Sequence, residues 1–537
     1  MPKADIDYSL YLVTGRELLP EGKDYYESLE ESLQGGVTVV QVREKDIDTG
    51  EFVEIARRTK EITDKYNVPL LINDRIDVYL AVRCAGIHIG QSDMPLAQAR
   101  ALAGDDAVIG ISVGNIDEAQ AAIAGHADYV GVGAVWPTGS KDVTKKVKLG
   151  PDGVGRVLDV LAESKTPAVA IGGIHAPNVP FLLHGSISPN ARNSLDGIAV
   201  ISAVVASKTP REAAANLRNI VDSFKRVRRS APAAPAFVLE SSPVRSTEAL
   251  VSGVAALMEV IQREVPLVHQ ITNNVVINDS ANATLAIGAS PIMATNPRDV
   301  ADLSPAIGAL LVNFGTITDK EGMLVAGRQA NVNRKPLVYD PVAVGATSFR
   351  RETSKELLAH WQPTVIKGNA AEIGALAQLT EVESRGVDSV GKGFADPANV
   401  VRTLARKRAA IVVLTGEEDY LSDGDVVLRT SNGHALLGKI TGSGCMTGTL
   451  VASFCAAARL HHLAGGKGSV FENDSQLVQG DMLLGALAGV LVFNCAAERA
   501  AERDDVRGPG TFRAALIDEL ANMPAADLVK RAKVEIL

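Results

Sequence analysis

Asp74 and Asp93 each lie a few residues past a short apolar run, and Arg43, Lys45 and Lys141 lie past others. Two carboxylates on adjacent strand ends could share a Mg²⁺, a cation that takes oxygen ligands and typically bridges substrate phosphates. The three cations suit a diphosphate leaving group, Arg as a bidentate fork and Lys as a point charge. Gly172-Gly173 and the main chain near Ile201-Ser202 offer a second anion site, at the strand ends where barrels commonly hold a phosphomonoester. A locus for diphosphate and metal beside one for monophosphate equips a two-substrate transfer. Carboxylates so placed beside three cations are hard to explain as packing. By contrast, His88 reads as a satisfied core histidine, and Arg43 with Glu44 could form a surface ion pair.

A third anion site stands far along the chain. Lys439 to Gly448 reads K-I-T-G-S-G-C-M-T-G and runs into an apolar helix. Glycines just ahead of a helix let main-chain N–H groups face an anion, with the helix dipole assisting. The segment lacks the Gly-Lys-Ser/Thr ending of a Walker loop. Cys445 within it carries a thiol whose pKa, ordinarily about 8.5, falls at a helix N-terminus, so it could act as a base or position an alcohol. Asp340, Lys367, Glu372 and Thr415 lie at or just past the ends of further apolar runs.

Such residues need elements to bring them together. Eight short β-branched runs, Leu10–Val13, Val37–Val42, Pro69–Ile72, Gly86–Ile89, Val108–Ser112, Tyr129–Val135, Ala168–Ile171 and Gly197–Ile201, are spaced through the first 225 residues. Amphipathic segments such as Asp24–Gln34 and Gly50–Tyr66 separate them, the pattern of a (β/α)8 barrel with a doubly wound sheet as the alternative. In a barrel the polar strand ends converge on one rim. Residues 226–245, with three prolines and a basic cluster, read as an extended linker, and Lys225 to Arg229 as a solvated face of it. From residue 246 to 537 a second α/β pattern begins. Its strand-like runs are Leu267–Ile271, Pro291–Ala294, Ala309–Phe314, Pro336–Tyr339, Thr364–Ile366, Ala410–Leu414, Val426–Thr430 and Ala435–Ile440, with helices at Asp279–Ile287 and Thr353–Trp361. Phe181 to Asp196 reads as a surface insertion, and Pro509 as the start of the final helix.

The 537 residues, 46% of them hydrophobic, are enough for two cores. A formal net charge of −9 argues against nucleic acid as the principal partner. Four cysteines without C-x-x-C spacing point to a reducing compartment, and Cys84, Cys455 and Cys495 read as core. The apolar run Met482–Phe493 is too short for a membrane span and reads as a buried helix. With no signal-like N-terminus, the expectation is a cytoplasmic protein that acts on small molecules, without nucleic-acid or membrane partners.

Taken in order, Q-V-R-E-K, I-N-D-R-I-D, G-I-H-I-G-Q-S-D-M-P, P-T-G-S-K, A-I-G-G-I and A-V-I-S-A resemble the thiamine-phosphate synthases over almost all of the first half. The resemblance implies a TIM barrel in which Gln41, Val42, Arg43, Glu44, Lys45, Asn73, Ser112 and Lys141 bind an aminopyrimidine diphosphate. It further implies that Asp74 and Asp93 hold Mg²⁺ and that Thr138, Gly139, Ser140, Gly173, Ile201 and Ser202 bind thiazole phosphate. Thr138-Gly139-Ser140 stands where the family has Thr-x-Thr, a change that keeps the hydroxyl.

The segments Val268 to Asn274, Gly288 to Ala294, Asp340 to Thr347, Lys367 to Glu372, Thr415 to Asp419 and Lys439 to Gly448 resemble hydroxyethylthiazole kinase, of the ribokinase-like fold. This resemblance implies ATP as co-substrate, bound by Lys367 and Thr415, with Met293 and Gly442 at the thiazole, Asp340 and Glu372 in the Mg²⁺ shell, and Cys445 beside the alcohol. Lys367 stands where some relatives carry Arg. The kinase family's trimers imply a homo-oligomer, possibly a hexamer, with sites between subunits. The fused order is similar to the bifunctional thiamine enzyme of fungi. Competing readings are a barrel lyase or isomerase tethered to a sugar kinase, and a thiamine-sensing regulator that binds without turnover.

Overall fold

The computed structural model describes residues 6–139, 148–188, 190, 192–230, 246–317, 319–379, 383–385, 388–390, 393–465 and 476–537. They fall into two compact units, one ending with the helix Pro210–Ser230 and the other beginning before the helix Thr247–Glu264.

In the first unit, β1 (Leu10–Val13), β2 (Val39–Val42), β3 (Leu70–Asn73), β4 (Gly86–Ile89), β5 (Val108–Val113), β6 (Tyr129–Val132), β7 (Ala168–Ile171) and β8 (Gly197–Val200) form a closed parallel barrel. The circle closes where Leu10 pairs with Ile198. Alternation along each strand divides the core into two layers. Leu10, Leu12, Ile87, Ile109 and Val130 pack outward against the helices. Tyr11, Val13, Val39, Leu71, Tyr129 and Ala199 fill the interior. The helix Tyr25–Gln34 starts where expected because Asp24 accepts from the N–H groups of Tyr26 and Glu27.

Two expectations are corrected here. Arg226 to Ser230, assigned to the linker, are the last turn of the helix Pro210–Ser230; residues 231–245 lie outside the described residues. Phe181 to Asp196, expected as a surface insertion, begins and ends within the barrel's framework, with residues 189 and 191 outside the described residues. Phe181 to Gly185 complete the barrel helix Val179–Gly185, whose Phe181, Leu182, Leu183 and His184 are buried, and Asp196 accepts from the Ala168 N–H at 2.8 Å.

The second unit holds β9 (Leu267–Ile271), β10 (Ser290–Ile292), β11 (Ala309–Asn313), β12 (Leu337–Asp340), β13 (Val365–Asn369), β14 (Glu383–Arg385), β15 (Asp388–Val390), β16 (Ile411–Thr415), β17 (Asp419–Ser422), β18 (Val427–Thr430) and β19 (Val534–Ile536). All but the β14–β15 pair lie in one sheet of order β10-β9-β11-β12-β13-β16-β17-β18-β19, parallel as far as β16 and antiparallel beyond it. Sequence reading missed β14, β15, β17 and β19. Ala435–Ile440, expected as a strand, is a 3₁₀ turn over Ala435–Lys439. The helix at Pro509 is followed by another, Ala525–Arg531.

Helix Ser443–Ala464 packs along helix Met482–Ala501, which is buried for most of its length. Among the described residues it is the one helix apolar and long enough to cross a membrane, and 83% of its most apolar stretch is covered by the protein. The pair approaches closely because Gly485 and Gly489 have no side chain: a Cβ on Gly489 would lie 2.5 Å from Val451 Cα. Backbone cannot yield as a side chain does. Gly489→Ala is therefore expected to destabilise the second unit by about 1 to 3 kcal/mol, measured by chemical denaturation, with the barrel's unfolding unchanged.

Candidate active sites

The barrel's rim gathers the assigned residues in two sets. On one side Arg43, Glu44 and Lys45 follow β2, Asn73 closes β3 with Asp74 next, and Asp93 sits in the loop after β4. Asp74 adopts a left-handed backbone (φ 63°), and its N–H donates to the His88 carbonyl at 2.8 Å, which turns the chain at the rim. Burial and then the charge of Asp93 raise the Asp74 carboxyl above its ordinary value, against Lys45 and Arg75. Asp74 and Asp93 thus feel one another, a repulsion that a bound cation relieves. Asp93 Oδ2 accepts from the Gly90 N–H at 2.6 Å. Among the described residues no third His, Cys, Asp or Glu joins them.

The opposite side holds a cavity of about 100 Å³ lined by Ser112, Thr138, Gly172, Gly173, Ile201 and Ser202, among others. Gly172 (φ 105°) and Gly173 (φ 69°) make a turn that L side chains rarely adopt. A Cβ on Gly173 would lie 2.7 Å from the Pro137 carbonyl oxygen. The glycine pair therefore lets main chain, rather than side chain, line the cavity. Gly139 is exposed beside it; Ser140 and Lys141 lie outside the described residues.

Two assigned side chains have other engagements. Val42 is wholly buried in the outer core layer. Glu44 receives Arg16 Nε at 2.8 Å, so the Arg43–Glu44 pair does not form; Arg43 lies 3.8 Å from Glu17 instead. His88 is satisfied, with Tyr129 and Ser112 at its two ring nitrogens.

In the second unit Asn313 and Asp340 are register partners at the ends of β11 and β12. Asp340 is fully buried. Asn313 Nδ2 donates to its Oδ2 at 2.9 Å, and Lys367 Nζ lies 3.4 Å from both oxygens. Burial raises the Asp340 carboxyl despite Lys367. For Lys367 burial is outweighed by Asp340, Glu372 and Cys445, which hold its ammonium above its ordinary pKa. Glu372 accepts from the Ala343 N–H at 2.9 Å and the Asn369 N–H at 2.8 Å. Burial, then Asp340, push it up to about 7.

Helix Ser443–Ala464 points its first turn at this cluster. Gly442 caps it with φ 83°, and a Cβ on Gly444 would come within 3.3 Å of Lys367 Nζ. Cys445 Sγ accepts from Asn313 Nδ2 at 3.2 Å and Asn273 Nδ2 at 3.5 Å. The thiol's pKa is not lowered as expected. Burial first, and Asp340 second, push it up to about 11, because the desolvation of a thiolate outweighs the favourable helix end. Thr415 Oγ1 donates to the Gly368 carbonyl at 3.4 Å, and Met293 follows β10 at the sheet's edge, partly exposed.

Sequence reasoning missed three groups. Asn313 closes L-L-V-N just as Asn73 closes its strand, a signal that was legible. Asp419 Oδ1 accepts from the Gly416 N–H at 3.0 Å, its Oδ2 from Asn494 Nδ2 at 2.7 Å, and burial pushes it up to about 6. Asn494 could have been noticed as the one amide in an apolar helix.

Comparison with known proteins agrees with this division. Residues 10–204 match the thiamine monophosphate synthase family and residues 258–526 the hydroxyethylthiazole kinase family. A probable thiamine biosynthetic bifunctional enzyme of Schizosaccharomyces pombe is 38% identical over 99% of this chain and 99% of its own length. The chain belongs to the thiamine biosynthetic bifunctional enzymes. Another such bifunctional enzyme, from Saccharomyces cerevisiae, is 34% identical over 96% of both chains. A hydroxyethylthiazole kinase of Roseiflexus is 41% identical over 50% of this chain and 91% of its own. In this bifunctional family member the two matches fall on the two units.

Two outcomes are expected of the second site. Asn313→Ala leaves a buried carboxylate short of a donor and should lower kinase turnover about tenfold or more, measured with saturating ATP, without affecting the barrel's reaction. Because Cys84 is also pushed up to about 11 and Cys495 to about 12, alkylation of the native protein by iodoacetamide at pH 7.5 should run roughly a hundredfold slower than that of free cysteine. Mass-spectrometric mapping of Cys445 checks this, and its rate should climb towards pH 11.

Proposed function

We infer that the chain makes thiamine phosphate by two reactions in thiamine biosynthesis. The second unit transfers the γ-phosphoryl group of ATP to 4-methyl-5-(2-hydroxyethyl)thiazole. The first unit joins the resulting phosphate to 4-amino-2-methyl-5-pyrimidinylmethyl diphosphate and releases diphosphate. The observation that carries this reading is that the chain matches a bifunctional relative end to end, while each unit carries at its strand ends a glycine-lined turn, two carboxylates and a lysine.

In the barrel, Arg43, Lys45 and Lys141 neutralise the departing diphosphate. Asp74 and Asp93 fit a Mg²⁺, since two crowded carboxylates supply its oxygen ligands, and the ion would withdraw charge from the leaving group. Gln41, Asn73 and Ser112 orient the pyrimidine, while Thr138, Gly139, Ser140, Gly173, Ile201 and Ser202 hold thiazole phosphate so that its ring nitrogen faces the methylene carbon. In the kinase, Gly442 to Gly444 turn N–H groups to the transferring phosphoryl group, Lys367 and Thr415 hold ATP, and Met293 packs on the thiazole. Asp340 and Glu372 fit a Mg²⁺ shell through lone pairs not used by their N–H donors. A thiol with pKa about 11 positions the alcohol rather than taking its proton. We further propose a cytoplasmic homo-oligomer with trimeric kinase units, possibly a hexamer. Val275, 67% exposed two residues from Asn273, is apolar surface beside the kinase site on which such a contact would form.

Incubating the purified chain with Mg²⁺, ATP, hydroxyethylthiazole and the pyrimidine diphosphate should yield thiamine phosphate, detected by mass spectrometry, only when ATP is present. Thiazole phosphate alone would refute the barrel's role, and no product from folded protein would favour a binding-only regulator. Asp74→Ala should abolish coupling and spare the kinase, whereas Cys445→Ala should lower kinase activity and spare coupling. Loss of both activities in either folded variant would show the sites to be interdependent.

A further inference from the structure

Inside the barrel, beneath the rim, four side-chain hydrogen bonds run in one unbroken series across five strands. Gln41 Nε2 donates to Tyr11 Oη at 2.6 Å, and Tyr11 Oη is 2.8 Å from Tyr129 Oη. Tyr129 Oη is in turn 2.8 Å from His88 Nδ1, and His88 Nε2 is 2.9 Å from Ser112 Oγ. Gln41, Tyr11 and Tyr129 are almost wholly buried, and Ser112 opens onto the cavity at the rim. Two glycines make the room. A Cβ on Gly110 would stand 2.0 Å from the Tyr129 ring, and one on Gly131 would stand 3.2 Å from that of His88.

Donor arithmetic gives the series a direction. Each hydroxyl has one proton, and a neutral imidazole has one N–H and one bare nitrogen. Tyr11, having accepted from the Gln41 amide, has its proton left for Tyr129. Tyr129, having accepted, gives its own to His88 Nδ1. That nitrogen is then the bare one, so the ring proton resides on Nε2 and is donated to Ser112 Oγ. The Ser112 proton is left for the cavity. A proton on Nδ1 does not fit, because the two tyrosine hydroxyls would then have only the contact between them to share, and one buried hydroxyl proton would have no acceptor.

We propose that Tyr11, Tyr129 and His88 are positioning residues, a one-way hydrogen-bond relay from Gln41 that fixes the Ser112 hydroxyl as a donor to an acceptor atom of the bound pyrimidine diphosphate. This rests on the assignment of Gln41 and Ser112 to that substrate. The relay ties two substrate-binding residues on opposite sides of the barrel into one unit, so that cutting it midway disturbs recognition at an end it does not touch.

Tyr129→Phe and Tyr11→Phe each remove one hydroxyl and keep the ring. In the full chain both should raise KM for the pyrimidine diphosphate about fivefold, with the kinase activity unchanged. In protein labelled with 15N-histidine, the resonance missing from His88→Gln should show the Nε2–H tautomer by two-bond 15N–1H correlation, and Tyr129→Phe should convert it to a mixture. An Nδ1–H or doubly protonated His88 in the parent chain overturns the proposal. So does an unchanged KM in the folded Tyr→Phe variants when Ser112→Ala raises it. If Ser112→Ala itself leaves KM unchanged, the assignment of Ser112 to the pyrimidine falls, and the relay's purpose with it.

Discussion

A carboxylate taken wholly out of water must be met by donors, and Asp340 sets this demand for the second unit. Its solvation is replaced by one amide and one ammonium, Asn313 and Lys367. The surrounding elements are arranged to deliver them: β11 brings Asn313 into register, β13 brings Lys367, and the helix after Gly442 has glycines at 444 and 448 where larger residues would press on Lys367 and Asp340. The same Asn313 amide reaches Cys445, so charge burial and placement of the thiol are one problem with one solution. The raised pKa of the thiol follows from proximity to that carboxylate as well as from burial.

The barrel meets a milder form of the constraint. Its interior is not uniformly apolar; a series of hydroxyl, imidazole and amide groups crosses it, each satisfied by the next. At both sites the buried polar side chains are matched donor to acceptor. Those matched sets end at the strand tips where substrates are expected.

Most of this architecture was legible because parallel strands buried on both faces appear as short apolar β-branched runs, and their polar ends stand out against them. Asn73, Asp74 and Asp340 could be placed on that basis alone. Tyr11 and Tyr129 could not, since within L-Y-L-V and Y-V-G-V an aromatic residue at alternate spacing looks like packing; the hydroxyls matter only once β1 and β6 face each other across the barrel. Ala435–Ile440 failed for another reason: six residues of mixed polarity fit a strand or a tight turn equally, and the tertiary setting decides. Phe181 to Gly185 were read as part of an insertion from the length of the stretch, which does not report that their side chains are buried in a helix. The state of Cys445 turned on burial, which spacing does not report.

The helix Pro210–Ser230 has a bearing on how the protein comes into being. Lys225 Nζ donates to Ser9 Oγ at 2.6 Å, and Arg228 Nη2 donates to the Arg192 carbonyl at 2.8 Å. The helix's last turns therefore hold both the segment entering β1 and the loop before β8, the two strands at which the circle is joined. During synthesis these two ties can form only after residue 228 has left the ribosome. The residues that follow, up to the next helix at Thr247, then give the barrel time to shut before the second sheet begins to appear and offer it competing strands.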